Sequence, residues 1–597
     1  MNARRALGAV LLAGVAACAG RGGGSPAGGN GGSGSGGTGT GGSGNGGTGT
    51  SGTGTGGSGN GGTGTGGSGA GTGSGGNPNF SLACSAAKLG TPQLRLLTRA
   101  ELQSSIDSAF PDVVGQWTAS LPSNTISAHG FDNDASGTIG GQLAGAVLDM
   151  GVSVGAAVTG SKLSTVLPCA GNATTKSTQD SCAQTFLTKY GQRLFRRPLT
   201  SDEQTRYMSF FDASLGKSDF KTALKWLTAA LIQSPYTLNR SEIGTDKGDG
   251  TRQLTPYEIA AELAYTYTGT SPGDDLLAAA KNNSLGDLAA QARTMMATSQ
   301  GQQAVQHFFE QYLEYASVTS LQKPNISNFA SISQDMAQET RAFINDVVLT
   351  KGGGLKELLS AQTTNPSKAL ASYYAGGNGS TAGFPTPSSD YASVTRPAGT
   401  GVGVLAQGSF LSTHAAADHD SPTKRGLFVF YKLFCGPKLT PPPNVPPLDT
   451  STPMADVNTT RDRYEKVHEL TQGATGSCHS CHLAFDPIGF GFEHFDEGGR
   501  YRTQEKTYPV NSTASVTGPD GATLSFTGEE DLMSDVLGEP IIHQCIQAYL
   551  ATYAYGSDES CIGASEVTDL QSGAIGLAES FARLATEPHF TKRTSSE

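Results

Sequence analysis

Apolar residues recur at helical intervals along most of the chain. After Thr98 the side chains of Leu102, Ile106 and Phe110 are spaced four apart, which is the repeat of one helix face. Thr98 and Glu101 have the spacing of a capping box, in which each side chain hydrogen-bonds the other residue's backbone N–H at a helix start. We therefore expect a helix to begin directly after Thr98.

The same signals recur further along the chain, whereas β signals are sparse. Capping boxes start at Thr200 and Thr255, and amphipathic stretches run over 220–232 and 302–315. Alternating residues over 508–527 flank a Pro-Asp-Gly turn and predict one hairpin. The pattern predicts a mainly α fold, with a multi-module helical body and a minor β hairpin.

The first residues have the pattern of a bacterial export signal. Arg4 and Arg5 precede an apolar run over 6–17, which is too short to span a bilayer and leads into Cys18. The sequence Val-Ala-Ala-Cys is similar to the lipobox of bacterial lipoproteins, so residues 1–18 are predicted to be a lipoprotein-type signal with Cys18 lipidated. The alternative is a plain signal peptide cleaved near the alanines, which would discard Cys18.

Composition changes sharply after this segment. Residues 19–77 are Gly/Ser/Thr/Asn repeats without side chains able to form a core, so we expect a disordered linker. The formal net charge is −11, and no acidic residue precedes Glu101. This acidity argues against a nucleic-acid partner, because phosphate binding needs a basic field. A lipid anchor on a tether predicts an exported protein on the bacterial outer membrane, facing the periplasm or the cell surface.

The chemistry concentrates in the C-x-x-C-H motif formed by Cys478, Cys481 and His482, which is the attachment motif of c-type haem. The two thiols reach the vinyl groups on one porphyrin edge, and His482 then supplies the proximal iron ligand. A zinc site would need a second ligand pair, a thioredoxin-like dithiol would need a βαβ context, and a chance match is a third alternative. The motif predicts one covalent haem c.

An aromatic, glycine-rich run over 485–496 follows the motif and suits the lining of a flat apolar cofactor. In known c-type cytochromes a proline shortly after the motif offers its carbonyl to the proximal histidine. Pro487 is at a similar distance, and such a bond would fix the imidazole ring. Arg500 and Arg502 are candidates for pairing with the haem propionates, with solvated surface arginines as the equal alternative.

The occupant of the sixth iron position decides between electron transfer and catalysis. His468 is the first candidate distal ligand, because glycines between it and the motif allow the chain to turn back. Met533 is the alternative distal ligand, although its surroundings equally suit a core position in a helix. An open or water-bound site is the third option, and His494 lies on the proximal side of the chain.

Segments along nearly the whole body carry further motifs. In chain order they are RLLTRAE at 95–101, GFDN at 130–133, FRRPLT at 195–200, SPY at 234–236, LTPYEIA at 254–260, the stretches 403–410 and 421–426, and the run 485–502. Together they resemble a family of exported cytochrome-like proteins of planctomycetes and myxobacteria, built from the domains of unknown function 1587, 1595, 1592, 1588 and 1585. The family's last domain usually reads YALGR, whereas this chain has YAYGS at 553–557.

This resemblance implies a haem-bearing exported protein without defining a reaction. It also implies five modules after the linker, at 78–165 (1587-like), 166–245 (1595-like), 246–385 (1592-like), 396–505 (haem-binding, 1588-like) and 506–597 (1585-like). A stretch rich in Gly, Pro, Ser and Thr over 376–400 supports the boundary before the haem-binding module.

Cysteine usage fits an oxidising compartment, where disulfides persist. Nearness in sequence predicts two bonds, Cys169–Cys182 and Cys545–Cys561, each closing a loop of about 15 residues that contributes roughly 3 kcal/mol. Cys84 and Cys435 would form the remaining pair, although the sequence alone leaves other pairings open.

Two classes of function fit these observations. The first is an exported, membrane-tethered c-type haem protein that transfers electrons or serves as a redox-enzyme component, with a redox protein as its partner; oxidoreductase activity is left open. The alternative is a lipid-anchored cell-surface scaffold or binding protein in which the haem domain is accessory.

Overall fold

The helix starts marked by capping boxes in the sequence are formed in the structure. It is a computed structural model that describes residues 89–127, 130–133, 137–376, 383–437, 439, 454, 456–468, 479–556 and 564–595. The Thr98 hydroxyl accepts from Glu101 N at 3.1 Å, and the Glu101 carboxylate accepts from Thr98 N at 2.8 Å. The boxes at Thr200 and Thr255 close in the same way, so these predictions are confirmed.

The N-terminal part is a helical bundle with short strands. Its helices are α1 (Arg99–Ala109), α2 (Gly141–Val158), α3 (Leu163–Val166), α4 (Lys176–Phe186), α5 (Gln192–Phe195), α6 (Ser201–Leu215), α7 (Phe220–Ile232) and α8 (Pro235–Leu238). Its strands are β1 (Gln93–Leu96), β2 (Asn239–Glu242), β3 (Thr245–Asp246) and β4 (Thr251–Gln253). The amphipathic stretch 220–232 is helix α7, as predicted.

Helix α2 packs closely along α7. At Gly151 and Gly155 the absence of side chains lets the two backbones approach, since a Cβ on Gly155 would meet the carbonyl oxygen of Lys225. Among the described helices, α2 alone has the length and apolar composition that a membrane span requires. Its apolar residues that face α7 lie in the N-terminal core.

The middle and C-terminal parts are also mainly helical. The middle contains α9 (Pro256–Thr268), α10 (Asp274–Lys281), α11 (Leu288–Met296), α12 (Ser299–Tyr312), α13 (Phe329–Ile344), α14 (Leu355–Ser360), β5 (Thr363–Thr364) and α15 (Lys368–Ala375). Next come β6 (Val394–Thr395), α16 (Gly408–Thr413), α17 (Pro422–Phe428), α18 (Thr460–Val467), α19 (His479–His482), α20 (Asp486–Phe490), β7 (Gln504–Glu505) and β8 (Tyr508–Pro509). The remainder is β9 (Thr513–Thr517), β10 (Thr523–Thr527), α21 (Glu529–Gly538), α22 (Ile541–Tyr555), α23 (Ala564–Gln571), α24 (Leu577–Arg583), α25 (Pro588–Thr591) and β11 (Lys592–Thr594).

The strands pair only in small antiparallel groups. The pairs are β1–β2, β5–β6, β7–β8 and β9–β10, and β4 lies between β3 and β11. The β9–β10 hairpin turns at Gly521, whose φ of +87° suits glycine, and it confirms the hairpin predicted around the Pro-Asp-Gly turn. It covers 513–527 only, because the start of the predicted range, β8, pairs with β7 instead. The mainly α prediction is confirmed for the described part of the chain.

In the described part of the chain, two large hydrophobic cores and a small third cluster of Ala260, Ala280 and Leu285 hold these elements together. The N-terminal core runs from Leu96 to Tyr265. The main core contains residues from Phe131 to Phe590, so helices from several of the expected modules share it. All described residues belong to one unit that spans Ser74–Glu597.

The disulfides agree with one prediction and correct another. Cys169 and Cys182 are bonded, as predicted. Cys545 is bonded to Cys435, which lies 110 residues away, so the predicted pairings Cys545–Cys561 and Cys84–Cys435 are wrong in this structure. The reason is that α22 packs against the turn after α17 in the main core, which brings two distant cysteines together.

Several predictions concern residues outside the described ranges. They include the signal at 1–18 with its lipidated Cys18, the linker at 19–77, Cys84, Cys561 and the first motif cysteine, Cys478. These remain predictions from the sequence.

Candidate metal centre

The site is built on a close crossing of helices α17 and α20. A Cβ on Gly426 would overlap the carbonyl oxygen of Phe485, and a Cβ on Gly489 would overlap that of Pro422. Glycine is therefore required at both positions for the backbones to touch. The preceding residue, Arg425, is fully buried and ties α17 to the turn that follows α20 by donating to backbone carbonyls there.

Asp486, the first residue of α20, accepts hydrogen bonds from three side chains of the site. Its carboxylate is fully buried, and Oδ1 accepts from the Thr423 hydroxyl of α17 at 2.6 Å. Oδ2 accepts from the Nδ1 of His468 at 2.6 Å and from the Nδ1 of His482 at 3.0 Å. One carboxylate thus holds two imidazole rings, one from the residue that ends α18 and one from α19.

The two rings also contact each other. The ring centroids of His468 and His482 are 3.5 Å apart, with an angle of 25° between the planes. The His482 ring lies against Phe485 on another side, at 4.9 Å. Both side chains are partly exposed to solvent, with exposed fractions of 11% for His468 and 21% for His482. His468, His482 and Asp486 together form a cluster able to hold a metal ion.

Helix α18 is fixed at both ends, which sets the position of His468. At its start Glu505 accepts from the backbone N–H and the hydroxyl of Thr460 at 2.9–3.0 Å. Arg461 donates to the backbone carbonyls that enter β9. Further along, the Tyr464 hydroxyl lies 3.1 Å from Ser421 Oγ, and the Tyr464 ring lies 5.5 Å from the His468 ring.

Electrostatics keep Asp486 ionised. Burial raises the pKa of the Asp486 carboxyl, but the hydrogen bonds from His468 and His482 outweigh burial and leave the pKa below its ordinary value. A buried carboxylate that accepts from Nδ1 of an imidazole leaves Nε2 as the metal-binding nitrogen and makes it a better donor. Within the described part of the chain, His482 uses only Nδ1 for hydrogen bonding.

These residues fit a haem bound through the C-x-x-C-H motif. Cys481 is a free, partly exposed thiol on α19, one residue before His482. Two exposed apolar side chains, Val467 and Leu483, adjoin the two histidines, and their exposed fractions are 40% and 47%. A flat apolar cofactor would cover such side chains. The free thiol, the oriented imidazole and the exposed apolar rim all suit this group.

The remaining predicted site residues have partners within the protein. Pro487 is in the first turn of α20, and the acceptor beside His482 is the carboxylate of Asp486. Arg500 donates to Asp496 at 2.8 Å and covers the ring of Tyr373. Met533 is fully buried in the main core, in agreement with the alternative that the sequence left open.

Arg502 lies in a buried group of carboxylates next to the site. Its Nη2 is 3.1 Å from Asp420, 3.7 Å from Glu493 and 3.7 Å from Glu505. Burial raises the pKa of Glu493 well above its ordinary value, and the neighbouring Asp420 adds to this shift. The guanidinium therefore offsets part of the negative charge of a cluster that also fixes α18 through Glu505.

Sequence reasoning missed the roles of Asp486, Thr423 and the Arg502 cluster. One signal was present for Asp486, because it follows His482 by four residues, a spacing that brings side chains together on a helical path. Thr423 and Asp420 are far from the motif in sequence, so no local pattern connects them with it.

The fold and the site thus define a mainly helical protein with a centre of two histidines and one carboxylate. Three family models match parts of the chain: PSD5, Protein of unknown function (DUF1595), at 182–242; PSD4, Protein of unknown function (DUF1592), at 254–375; and PSCyt3, Protein of unknown function (DUF1588), at 401–505. The last match contains the whole centre. No curated protein and no solved structure matches the chain. The likeness to the 1587 and 1585 domains stays a prediction.

Proposed function

We propose that this protein is a c-type haem protein that carries one covalent haem and works in electron transfer or as part of a redox enzyme. Cys478 and Cys481 would hold the porphyrin, and His482 would supply the proximal nitrogen. The observation that carries the proposal is the hydrogen bond between His482 Nδ1 and the buried Asp486 carboxylate, directly after a C-x-x-C-H motif. The haem iron supplies a one-electron couple when it is bound.

The protein's own residues would orient the histidine and tune its donor strength. Thr423 fixes the Asp486 carboxylate, and the carboxylate holds the His482 ring by Nδ1. A carboxylate partner increases the electron density on Nε2, which favours the more oxidised state of a bound metal. Burial of Asp486 excludes water from this bond and strengthens it.

We also propose that the protein is tethered to the bacterial outer membrane through lipidated Cys18, with residues 19–77 as a flexible linker. The support is the basic and apolar leader that ends in Val-Ala-Ala-Cys, followed by repeats that lack core-forming side chains. Such a tether would keep the haem near the membrane while allowing contact with a redox partner protein.

One fractionation experiment tests both proposals. The full chain and a Cys18→Ser variant are expressed in a bacterium that attaches haem c, and the cells are separated into membrane and soluble fractions. The redox potential of each fraction is then varied while its reduced-minus-oxidised absorption spectrum is recorded. The wild type should sediment with membranes and titrate as one single-electron couple, whereas Cys18→Ser should carry the same couple into the soluble fraction. Absence of the couple would overturn the haem proposal, and unchanged sedimentation would overturn the anchor.

A further inference from the structure

We propose that a cavity at Arg396 binds a small organic anion, in which one carboxylate group is attached to a flat apolar ring. The residues of the metal centre do not line this cavity, and the inference does not rest on the proposed function. The residues that carry the argument are one buried cation, one small polar side chain and four aromatic side chains, namely Arg396, Thr400, Tyr374, Phe384, Phe495 and Tyr501.

Arg396 is a buried cation whose hydrogen-bonding capacity is not used. It directly follows strand β6, and its backbone N–H donates to the carbonyl of Gln362 at 2.8 Å. The residue is 4% exposed, yet within the described part of the chain neither Nε nor Nη2 has a hydrogen-bond partner. A buried charge without such partners is unfavourable. An anionic group bound in the adjoining cavity would supply the missing acceptor.

The nearby carboxyl groups do not fill this role. Glu339 Oε1 is 3.9 Å from Arg396 Nη2, which is too far for a hydrogen bond, and the two Glu339 oxygens accept from Thr364 and Tyr374 at 2.6 Å. Burial raises the pKa of Glu339 and also raises the pKa of Glu529 to about 8, although Arg396 acts against both shifts. With this pKa, Glu529 is mainly protonated at neutral pH. Much of the positive charge of Arg396 therefore has no counter-ion.

The walls of the cavity are largely aromatic. The rings of Tyr374 and Phe384 are 5.0 Å apart, and those of Phe495 and Tyr501 are 5.8 Å apart. A flat ring packs well against such side chains. The cavity has about 310 Å³ of space, part of which is open to solvent. This is small for a ligand site, so we expect a ligand with a single ring.

The charge of the site favours a carboxylate over a phosphate. Arg396 is the one basic residue among the described residues that line the cavity. A guanidinium can donate two parallel N–H bonds to the two oxygens of a carboxylate, and its single charge matches a monoanion. A phosphate dianion would need further donors, which these lining residues do not provide.

The test is calorimetric titration of the full chain with benzoate as the probe. Benzyl alcohol serves as the uncharged ring, and acetate serves as the charge without a ring. The wild type should bind benzoate more tightly than either compound by about tenfold or more, and Arg396→Gln should lose this preference. Arg396→Lys should retain part of it, because an ammonium group cannot form the two parallel bonds. Absence of benzoate binding, equal binding of the three compounds, or an unchanged affinity in Arg396→Gln would overturn the inference.

A second variant keeps the test decisive if Arg396→Gln does not fold. Thr400→Phe fills the cavity while it leaves Arg396 in place, so it should also lose benzoate binding. An unchanged affinity in Thr400→Phe would contradict binding in the cavity. Arg293→Gln is the matched control, since Arg293 is an exposed arginine paired with Glu579, and it should bind benzoate like the wild type.

The Cys478→Ala/Cys481→Ala double variant separates this site from the haem. It should bind benzoate with the affinity of the wild type, because the cavity does not include the motif. Loss of binding in this variant alone would place benzoate at the haem iron, which would overturn the inference and leave the proposed function intact. A wild type without haem that still binds benzoate would support the inference and overturn the proposed function.

Discussion

His307 lies between two carboxylates at the edge of the main core. Its Nε2 is 3.1 Å from Asp132 Oδ1, and its Nδ1 is 3.7 Å from Glu310 Oε2. Burial alone would lower the pKa of His307, but the hydrogen bonds with Asp132 and Glu310 outweigh burial and raise the pKa from 6.5 to about 10. The folded state therefore binds this proton more tightly than the unfolded state, which couples stability to pH.

We expect the stabilisation by His307 to be fully present below pH 6.5 and to be lost as the pH rises through about 10. The side chain is 39% exposed, so the contribution should stay below about 1 kcal/mol. Urea unfolding of the wild type and His307→Gln should show a stability difference that shrinks toward high pH. Asp132→Asn should weaken this dependence, and a difference that is constant with pH would contradict the pairing.

At the residue scale the sequence singled out both histidines of the centre but not the carboxylate that they share. The spacing of Cys478, Cys481 and His482 defines a haem motif whatever the fold around it. The acceptor beside His482 depends on where the next helix starts. Asp486 is the first residue of α20, and its side chain accepts the hydrogen bond from the imidazole.

At the element scale the crossing of α17 and α20 determines the geometry of the site. Gly426 and Gly489 let the backbones touch, and this contact brings Thr423 within hydrogen-bonding distance of Asp486. A methyl group at either glycine would force the helices apart, because the atom that it meets is a backbone carbonyl.

We expect Gly426→Ala to destabilise the protein by about 1–3 kcal/mol and to separate Thr423 from Asp486. Thermal unfolding measures the first effect, and the absorption spectrum of the haem-loaded protein reports the second. Gly145→Ala on the exposed side of α2 is the matched control, since its Cβ meets no other atom within 4 Å. The control should gain about 0.5–1 kcal/mol. Equal changes in thermal stability for Gly426→Ala and Gly145→Ala would contradict the close contact between α17 and α20.

The helix starts and the hairpin were predictable because their signals are local. Capping boxes, amphipathic spacing and the Pro-Asp-Gly turn each act within a few residues. The α17–α20 contact joins segments about sixty residues apart, and glycine alone does not indicate its partner. For that reason the structure was needed to connect Thr423 with the motif.

At the scale of the whole molecule, distant parts of the chain meet in shared structure. Strand β11 near the C-terminus pairs with β4, and Arg593 donates to the buried Glu242 at 2.7 Å. The main core draws on residues from Phe131 to Phe590. The Cys435–Cys545 bond belongs to this long-range packing, which is why pairing by nearness in sequence was wrong for Cys545.

The central claim is that this chain carries a haem bound covalently by Cys478 and Cys481. The most direct measurement is haem staining on a denaturing gel of the wild type and the Cys478→Ala/Cys481→Ala double variant, both expressed with a haem-attachment system. Gly145→Ala serves as a control that leaves the motif intact. The account predicts that the wild type and the control keep their stain after denaturation and that the double variant loses it. An unstained wild type, or a double variant that stains equally, would contradict the account.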